Sequence, residues 1–356
     1  MRIRIFFCNF AAEFDVFENM KRKIAIIAGG DSSEHEVSLR SAAGLKTWIS
    51  EAGYDVTIVI LKGQDWHTED GCPIDKNDFS FTRAGVKYTF DFAYITIHGT
   101  PGENGILQGY LDMIGMPYSC CGVLAAALTF NKYACNHYLS YFGFHIANSL
   151  MLRAGQKLPN APKIAETLGL PCFIKSNVGG SSFGCTKVKT VEDIYPAIER
   201  AFKEGNEVIC ESYMQGTEVT CGVYKTKDKA VAFPITEVVT HNEFFDYDAK
   251  YKGQVDEITP ARIPDAVRDK IQAETLRLYD IIGANGIIRV DWIITPNGQW
   301  TMDNGQWTGD MPHINLLEVN TTPGMTPTSF IPQQVRAAGL DIKNVLTDII
   351  ENKFSN

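Results

Sequence analysis

Leu316-Leu317-Glu318-Val319-Asn320-Thr321-Thr322-Pro323-Gly324-Met325-Thr326-Pro327-Thr328-Ser329 runs from an apolar strand pattern directly into a carboxylate, an amide and a hydroxyl-rich turn. Side chains alternate between the two faces of a strand, so Glu318 and Asn320 should point the same way. The same alternation predicts that Ile314 and Leu316 share that face. A polar pair at the end of so apolar a strand indicates a functional site there.

A second apolar run, Ile287 to Ile294, repeats this arrangement, because Arg289 and Asp291 lie two residues apart on one face. If the two strands are neighbours, the oxygens of Asp291, Glu318 and Asn320 form a cluster suited to a hard cation. Mg²⁺ in such a site takes few protein ligands and completes its shell with substrate phosphates. The alternative is a surface strand with one solvated face. Strands this rich in Ile, Leu and Val are usually buried, and buried charges need partners.

The composition is that of a globular protein with two or three domains, since the chain has 356 residues, of which 45% are hydrophobic and 21% charged. A formal net charge of −9 argues against binding to nucleic acid or to an anionic membrane surface. No apolar run reaches the length of a membrane span. Nine cysteines without any C-x-x-C spacing argue against zinc sites and disulfide frameworks and favour a reducing, cytoplasmic location.

The N-terminal part of the chain is expected to form an α/β domain over residues 22–127, after an extension over residues 1–21 that lacks the features of a signal peptide. A strand at 24–28, a helix reaching Ala52 and a strand at 56–61 form a βαβ unit, which predicts a parallel sheet. The strand at 92–97 ends in His98 and a glycine-rich loop. Open α/β sheets bind ligands at this position, although such a histidine can equally well stabilise a turn.

A central domain over residues 128–216 contains the loop Gly179 to Gly184, which nearly matches the phosphate-binding Walker A pattern. Cys185 stands where that pattern requires lysine, and a strand rather than a helix follows. The loop is therefore either a plain hairpin turn or a flexible flap that closes over phosphates with its backbone N–H groups, and Lys175 just before it favours the flap. In the C-terminal domain, residues 217–356, the aromatic and charged segment 244–252 is either disordered or a functional lid.

Taken in order, these motifs resemble the ATP-grasp enzymes and specifically the D-alanine-D-alanine ligase family, over nearly the whole chain from Lys23. The resemblance implies an α/β fold, α+β in its ATP-grasp part, in which an N-terminal parallel-sheet domain is followed by two ATP-grasp subdomains that sandwich ATP. The matching motifs are Gly29-Gly30-x-Ser-x-Glu34-His-Glu-Val-Ser-Leu39, His98-Gly-x-x-Gly-Glu-Asn-Gly-x-Leu-Gln-Gly109, Lys175 with Gly180-Ser181-Ser182, Phe245-Asp-Tyr-x-Ala-Lys250-Tyr251, Arg289-Val-Asp291, and Glu318-Val-Asn320-Thr-x-Pro-Gly324-Met325-Thr326.

The resemblance implies a set of ligands and the residues that hold them. The ATP-binding residues would be Lys132, Lys175, Ser181, Ser182, Glu211, Glu218 and Lys250, with the first two on the phosphates and the two glutamates near adenine and ribose. Mg²⁺ or Mn²⁺ would be held by Asp291, Glu318 and Asn320. The D-alanine substrates would be held by Glu34, His98 and Ser329, with Ser329 on the carboxylate of the second substrate.

The catalytic residues implied by the resemblance are Glu34, Ser181, Lys250, Tyr251, Arg289 and Gly324. The carboxylate of the first D-alanine attacks the γ-phosphate of ATP, and the amine of the second then displaces phosphate from the D-alanyl phosphate. Arg289 and the Gly324 N–H would stabilise the oxyanion. A hydrogen-bonded trio of Glu34, Ser181 and Tyr251 would close the site against water.

The implied product is D-alanyl-D-alanine for peptidoglycan synthesis, made from small-molecule substrates by a cytoplasmic enzyme that can form a homodimer. The alternatives are a D-alanine-D-lactate or D-alanine-D-serine ligase, and a catalytically silent ATP-binding protein. Tyr251 favours the dipeptide. The chain departs from the family pattern at Ser176, at Phe183 and in a longer segment, 302–315, which puts the pairing of the two metal strands in doubt.

Overall fold

The computed structural model describes residues 21–180, 184–240, 255–296, 301–303, 306–308 and 311–355. The strands are β1 Lys23–Gly29, β2 Asp55–Lys62, β3 Asp65–Thr68, β4 Ile74–Asp75, β5 Ser80–Arg83, β6 Val86–Tyr88, β7 Phe92–Ile95, β8 Ser149–Arg153, β9 Cys172–Ser176, β10 Thr186–Val188, β11 Glu207–Ser212, β12 Thr217–Lys225, β13 Ala230–Ala232, β14 Thr236–Thr240, β15 Val255–Ile258, β16 Ile287–Thr295, β17 Thr301–Asp303, β18 Gln306–Thr308 and β19 His313–Asn320. The helices are α1 His35–Glu51, α2 Ile106–Met113, α3 Val123–Phe130, α4 Lys132–Ser140, α5 Ala161–Leu168, α6 Ile194–Ala201, α7 Asp265–Ile281, α8 Phe330–Ala337 and α9 Ile342–Glu351.

The N-terminal sheet has the strand order β3-β2-β1-β7, and β1 runs parallel to both β2 and β7, as the βαβ pattern predicted. Strand β1 is almost continuously apolar because both of its faces are covered. Ile24 and Ile26 face one buried cluster, while Ala25 and Ile27 face another. The predicted α/β fold is confirmed in this part of the chain.

Two further sheets follow. The central one has the antiparallel order β10-β9-β11-β8, and its buried side chains pack with those of α5 and α6. The C-terminal one has the order β15-β14-β12-β16-β19. Buried apolar side chains of α3, α4 and α7 form one cluster with those of β12, β16 and β19. The domain boundaries at residues 127/128 and 216/217 remain predictions. Among the described residues, no helix has both the length and the apolar character required to cross a membrane.

The two polar-tipped strands, β16 and β19, are antiparallel neighbours despite the longer segment between them, part of which forms the small β17–β18 hairpin. Asp291 pairs with Glu318, whereas the next residue, Trp292, pairs with Leu316, so Leu317 is an extra residue and forms a β-bulge.

Simple alternation predicted that Ile314 and Leu316 share one face of the strand with Glu318, and the bulge shows that this prediction is wrong. Ile314 and Leu316 pack into the same buried cluster as Val319, whereas Leu317 and Glu318 both line the opposite face of the strand. An inserted residue shifts the alternation by one position, so the apolar and polar parts of β19 can serve different faces.

Helix α8 connects the C-terminal sheet with the N-terminal one. Its Ile331 and Val335 lie in the same buried cluster as Ile24 and Ile26 of β1. Its first residue directly follows Ser329, so the position of this helix determines where the end of the hydroxyl-rich turn lies.

Candidate active site

A cleft of about 700 Å³ lies between the central and C-terminal sheets, and a pocket of about 50 Å³ adjoins it. Four of the predicted site residues line both cavities, namely Glu34, Lys132, Arg289 and Glu318. Lys175, Glu211 and Glu218 line only the cleft, and His98 and Asn320 only the pocket. The fold thus brings together residues of the central and C-terminal sheets with loop residues that follow β1 and β7 of the N-terminal sheet.

The carboxylate of Asp291 is held on two sides. Arg289 donates to it through Nε (2.9 Å to Oδ1) and Nη2 (2.7 Å to Oδ2), and the Thr220 hydroxyl donates to Oδ1 at 2.5 Å. Asp291 is buried and lines neither cavity, whereas Arg289 lines both. A fork of two parallel hydrogen bonds to a carboxylate fixes the guanidinium plane, so Arg289 is oriented before any substrate arrives.

Buried acidic groups crowd this end of the cleft. Burial, followed by the charges of Asp291 and Glu318, raises the pKa of Glu218 to about 8. Burial lowers the pKa of Arg289, but the neighbouring Asp291 carboxylate more than offsets this, and the pKa of the guanidinium lies above its usual value. A nearby cation favours the charged form of a carboxyl group whose pKa neighbouring carboxylates raise.

The donor chemistry here fits Mg²⁺. Within the described parts of the chain, no three His, Cys, Asp or Glu side chains form a metal-binding group by themselves. Asp291 and Glu318 are cross-strand partners, and Asn320 pairs with Arg289 two positions along the same ladder. Two carboxylates and one amide oxygen leave several coordination positions open, which suits an ion that completes its shell with phosphate oxygens and water.

The two predicted phosphate lysines lie on opposite parts of the cleft wall. Lys175 Nζ is 2.6 Å from Glu211 Oε2 across β9 and β11; Glu211 is buried and Lys175 is partly buried. Burial lowers the pKa of Lys175, but the Glu211 charge more than offsets this, so its pKa is raised and the amine is cationic. Lys132, the first residue of α4, donates to the Gly179 carbonyl at 2.6 Å and so reaches the start of the glycine-serine loop.

Glu34 precedes α1 and touches the same loop. A Cβ atom on Gly180 would lie 2.6 Å from Glu34 Oε2, so only a glycine allows this approach. Near it, His98 is buried, and its carbonyl accepts a hydrogen bond from the Ser32 hydroxyl at 2.6 Å. Two predicted substrate residues from separate motifs therefore lie at one pocket.

Gly324 and Ser329 face each other across the hydroxyl-rich turn, and a Cβ on Gly324 would come within 2.9 Å of Ser329 Oγ. The Ser329 hydroxyl lies 2.7 Å from the Thr326 hydroxyl and accepts from the Thr326 N–H at 3.1 Å. Neither Gly324 nor Ser329 lines the two cavities. The turn is therefore held by its own hydrogen bonds directly after strand β19.

Four predicted site residues lie outside the described residues: Ser181, Ser182, Lys250 and Tyr251. The predicted lid over 244–252 and the Phe183 departure lie outside them as well. Their assignments stay predictions.

The sequence analysis missed three residues that contact the site. Thr220 holds Asp291, and the ring of Phe330 lies 5.3 Å from the guanidinium of Arg289. Glu103 lines the pocket and accepts from the Gly99 N–H at 2.6 Å. The period of two along β12 could have revealed Thr220, two residues after Glu218, whereas the contact of Phe330 depends on how α8 packs.

Comparison with known proteins gives the same family over both halves of the chain. The family model described as "D-ala D-ala ligase N-terminus" matches residues 23–121, and "D-ala D-ala ligase C-terminus" matches residues 139–351. A D-alanine-D-alanine ligase of Bacteroides fragilis is 62% identical over 339 residues, covering 94% of this chain and 100% of the relative. One of Bacteroides thetaiotaomicron is also 62% identical over 339 residues, with the same coverage of 94% and 100%.

Solved structures of ligases have the same fold as this chain. A D-alanyl-alanine synthetase A from Vibrio cholerae superposes with a TM-score of 0.81 at 29% identity, covering 94% of this chain and 99% of that one. A D-Ala:D-Ser ligase from Enterococcus faecalis has a TM-score of 0.79 at 29% identity, with 93% and 99% covered. A Bacillus anthracis D-alanine-D-alanine ligase complexed with ATP has a TM-score of 0.70 at 25% identity, with 94% and 97% covered. The family models, the relatives and the fold together show that this chain belongs to the D-alanine-D-alanine ligase family and is an ATP-dependent ligase.

Proposed function

We propose that the cleft joins two D-alanine molecules through a D-alanyl phosphate, with the residues described above in the roles that follow. The observation that carries this proposal is the pairing of Asp291 with Glu318, beside Arg289, at the end of a cleft lined by Lys132 and Lys175. Cationic side chains for phosphates and an oxygen cluster for a cation converge on one place, as phosphoryl transfer requires.

ATP occupies the cleft. Lys132 and Lys175 neutralise its phosphates, and Ser181, Ser182 and Lys250 complete the phosphate site from the loops that close over it. Glu211 and Glu218 face the adenine and ribose. The Lys175–Glu211 ion pair supports this placement, because it holds the lysine extended into the cleft without requiring a ligand.

Asp291, Glu318 and Asn320 hold Mg²⁺ or Mn²⁺. Such an ion, when bound, offsets the charge that develops on the transferring phosphoryl group. The raised pKa of Glu218 and the nearness of three carboxylates support a cation at this position.

The first D-alanine lies in the pocket, where Glu34 holds its ammonium group and His98 lines the wall. Its carboxylate oxygen attacks the γ-phosphorus, the bond to ADP breaks, and D-alanyl phosphate forms. Glu34, Ser181 and Tyr251 keep the closed site dry, which protects the acyl phosphate from hydrolysis.

Ser329 receives the carboxylate of the second D-alanine. The deprotonated amine of that molecule attacks the acyl carbon, and phosphate leaves after the tetrahedral intermediate collapses. Arg289 and the Gly324 N–H stabilise the oxyanion. The preset orientation of Arg289 by Asp291 supports this role, since such donors act best when no reorganisation is needed.

The test is product analysis by mass after incubation with ATP, Mg²⁺ and a mixture of D-alanine, D-serine and D-lactate. We expect D-alanyl-D-alanine, ADP and phosphate. A predominance of D-alanyl-D-serine or D-alanyl-D-lactate would overturn the assignment of the second substrate. Absence of ATP turnover at saturating D-alanine would point instead to a silent ATP-binding protein.

We further propose that the enzyme is cytoplasmic and homodimeric. Every cysteine in the described part of the chain is a free thiol, which suits a reducing compartment. Asp112 is the only charged residue between positions 104 and 131, and the side chains of Met113 and Leu124 there are 88% and 80% exposed. A two-fold interface joins the same patch of both subunits, and an apolar patch with a single charge brings few like charges together there. Light scattering after size exclusion, with Leu124→Lys as the disrupting variant, tests the dimer.

A further inference from the structure

Gln334 is a completely buried amide in the second turn of α8, and both ends of its side chain are used. Its Oε1 accepts from the Gly222 N–H at 2.9 Å. Its Nε2 donates to the Thr220 carbonyl at 3.0 Å and lies 3.1 Å from the Thr236 hydroxyl. A buried amide that makes three hydrogen bonds in one strand region is costly to replace, because each lost partner leaves a polar group without water.

The side chain fills an interruption in the pairing of β12. That strand pairs with β14 over Glu218 to Thr220 and with β13 over Val223 to Lys225, so the ladder is interrupted between these stretches. There the Gly222 carbonyl accepts from the Phe233 N–H at 2.9 Å, and Gln334 supplies the partner of the Gly222 N–H. The amide of Gln334 acts there as a peptide group would. Gly222 makes this possible, because a Cβ on it would lie 2.7 Å from Gln334 Oε1 and 2.4 Å from Ile331.

Strand β12 and helix α8, the two elements that Gln334 joins, both carry residues that contact the candidate site. On the β12 side, the Thr220 hydroxyl donates to Asp291 at 2.5 Å. On the α8 side, the helix begins directly after Ser329, and the ring of its first residue, Phe330, lies 5.3 Å from the Arg289 guanidinium. One helical turn separates Ser329 and Phe330 from Gln334, so little movement is available between the amide and the start of the helix.

We infer that Gln334 is a positioning residue for the ligase reaction, which sets the distance between the Ser329 end of α8 and the Asp291–Arg289 pair. This inference rests on the proposed role of Ser329 at the carboxylate of the second substrate. A shift of α8 along β12 would move Ser329 and Phe330 together relative to the polar-tipped strands β16 and β19. Lys175, on the central sheet, and Lys132, on α4, would not move with them.

The first experiment is steady-state kinetics of Gln334→Met, a variant of similar shape that cannot accept or donate these hydrogen bonds. We expect the KM for the second D-alanine to rise by about 10-fold or more, and the KM for ATP to change by less than about twofold, because small misplacements near reacting groups have large effects. Gln334→Glu keeps an acceptor for Gly222, and because a carboxyl group buried at this position is held in its neutral form, its O–H can still donate one hydrogen bond to the Thr220 carbonyl. It should show the same pattern more weakly, and it replaces the methionine variant if that one does not fold.

Tyr224→Phe is the matched control. It removes a 2.8 Å hydrogen bond between the same strand, β12, and Asp348 of the neighbouring helix α9, so it loosens β12 without touching α8. We expect a lower Tm with both KM values unchanged. If the Gln334 variants lower only the Tm, as this control does, the amide has a purely structural role and the inference is wrong.

Ser329→Ala separates this inference from the proposed function. If Ser329→Ala raises the KM for the second D-alanine and the Gln334 variants do not, the positioning role fails while the subsite stands. If Ser329→Ala leaves that KM unchanged, the proposed subsite fails, and the positioning inference fails with it.

Discussion

Asp291 and Glu318 lie opposite each other on antiparallel strands, directly beside a one-residue bulge at Leu317. The bulge lets β19 bury Ile314 and Leu316 on one face and still present Glu318 to the cleft on the other. Asp291 is therefore buried behind the cavity wall, whereas its partner Glu318 lines both cavities and can meet a phosphate-bound cation.

Glu318→Gln tests the metal site. The amide keeps the shape of the side chain, so we expect the folded protein to persist, while turnover at limiting Mg²⁺ falls by about 10- to 100-fold because a charged ligand is lost. Titration of activity with Mg²⁺ should show a higher half-saturating concentration. Glu199→Gln, the same change on the exposed face of α6, is the control and should leave the titration unchanged. An unchanged Mg²⁺ titration for Glu318→Gln would remove this residue from the metal site.

The free energy of unfolding should depend strongly on both members of the Lys175–Glu211 ion pair. Lys175→Met leaves a buried carboxylate without its cation, so the free energy of unfolding should fall by about 3–5 kcal/mol. The double variant Lys175→Met/Glu211→Leu should recover most of this loss in urea titrations and yet remain inactive. If the double variant is no more stable than Lys175→Met alone, the pair contributes little to the fold.

Gly180→Ala tests the approach of Glu34 to the loop. The added methyl group would lie 2.6 Å from Glu34 Oε2, so the carboxylate must move away from the pocket. We expect the KM for the first D-alanine to rise by about 10-fold with little change in Tm. Gly109→Ala in α2 is the control, because its Cβ meets its nearest neighbour at an ordinary 3.7 Å. Equal kinetics for the two alanine variants would contradict the role of Glu34.

The carboxyl group of Glu103 should make the free energy of unfolding depend on pH. Burial, helped by the charges of Glu34 and Glu318, raises the pKa of its carboxyl to about 7, from 4.5. The folded protein therefore binds a proton that the unfolded chain has lost between these values, and stability falls as the pH rises through this window. The neutral side chain of Glu103→Gln does not titrate, so this variant does not lose stability as the pH rises. At pH 8 its free energy of unfolding should exceed that of the wild type by at most about 3 kcal/mol, and at pH 4.5 it should not exceed it.

The measurement is urea unfolding of both proteins at several pH values between 4.5 and 8. The Gly99 N–H can still donate to the amide oxygen of the variant, so the comparison isolates the charge. Parallel stability curves across this range would show that Glu103 does not titrate there.

Much of the architecture and of the candidate site follows from the order of residues along the chain. Alternation and apolar runs predicted the parallel pairing of β1 with β2, the two polar-tipped strands and the residue types at their ends, because these depend on side-chain order along one strand. The ordered set of motifs from Gly29 to Thr326 predicted the ligase family that the comparisons show.

Which side chains meet at the site depends on how the sheets and helices pack. The bulge at Leu317 overrode simple alternation, and no local pattern reveals it, because a bulge is a property of the pairing between two strands and not of either strand alone. The contacts of Glu34 with Gly180, Thr220 with Asp291 and Gln334 with Gly222 join residues far apart in the chain. Such contacts follow from how sheets and helices pack, and a sequence records the order of its residues but not the distances between those that are distant in that order.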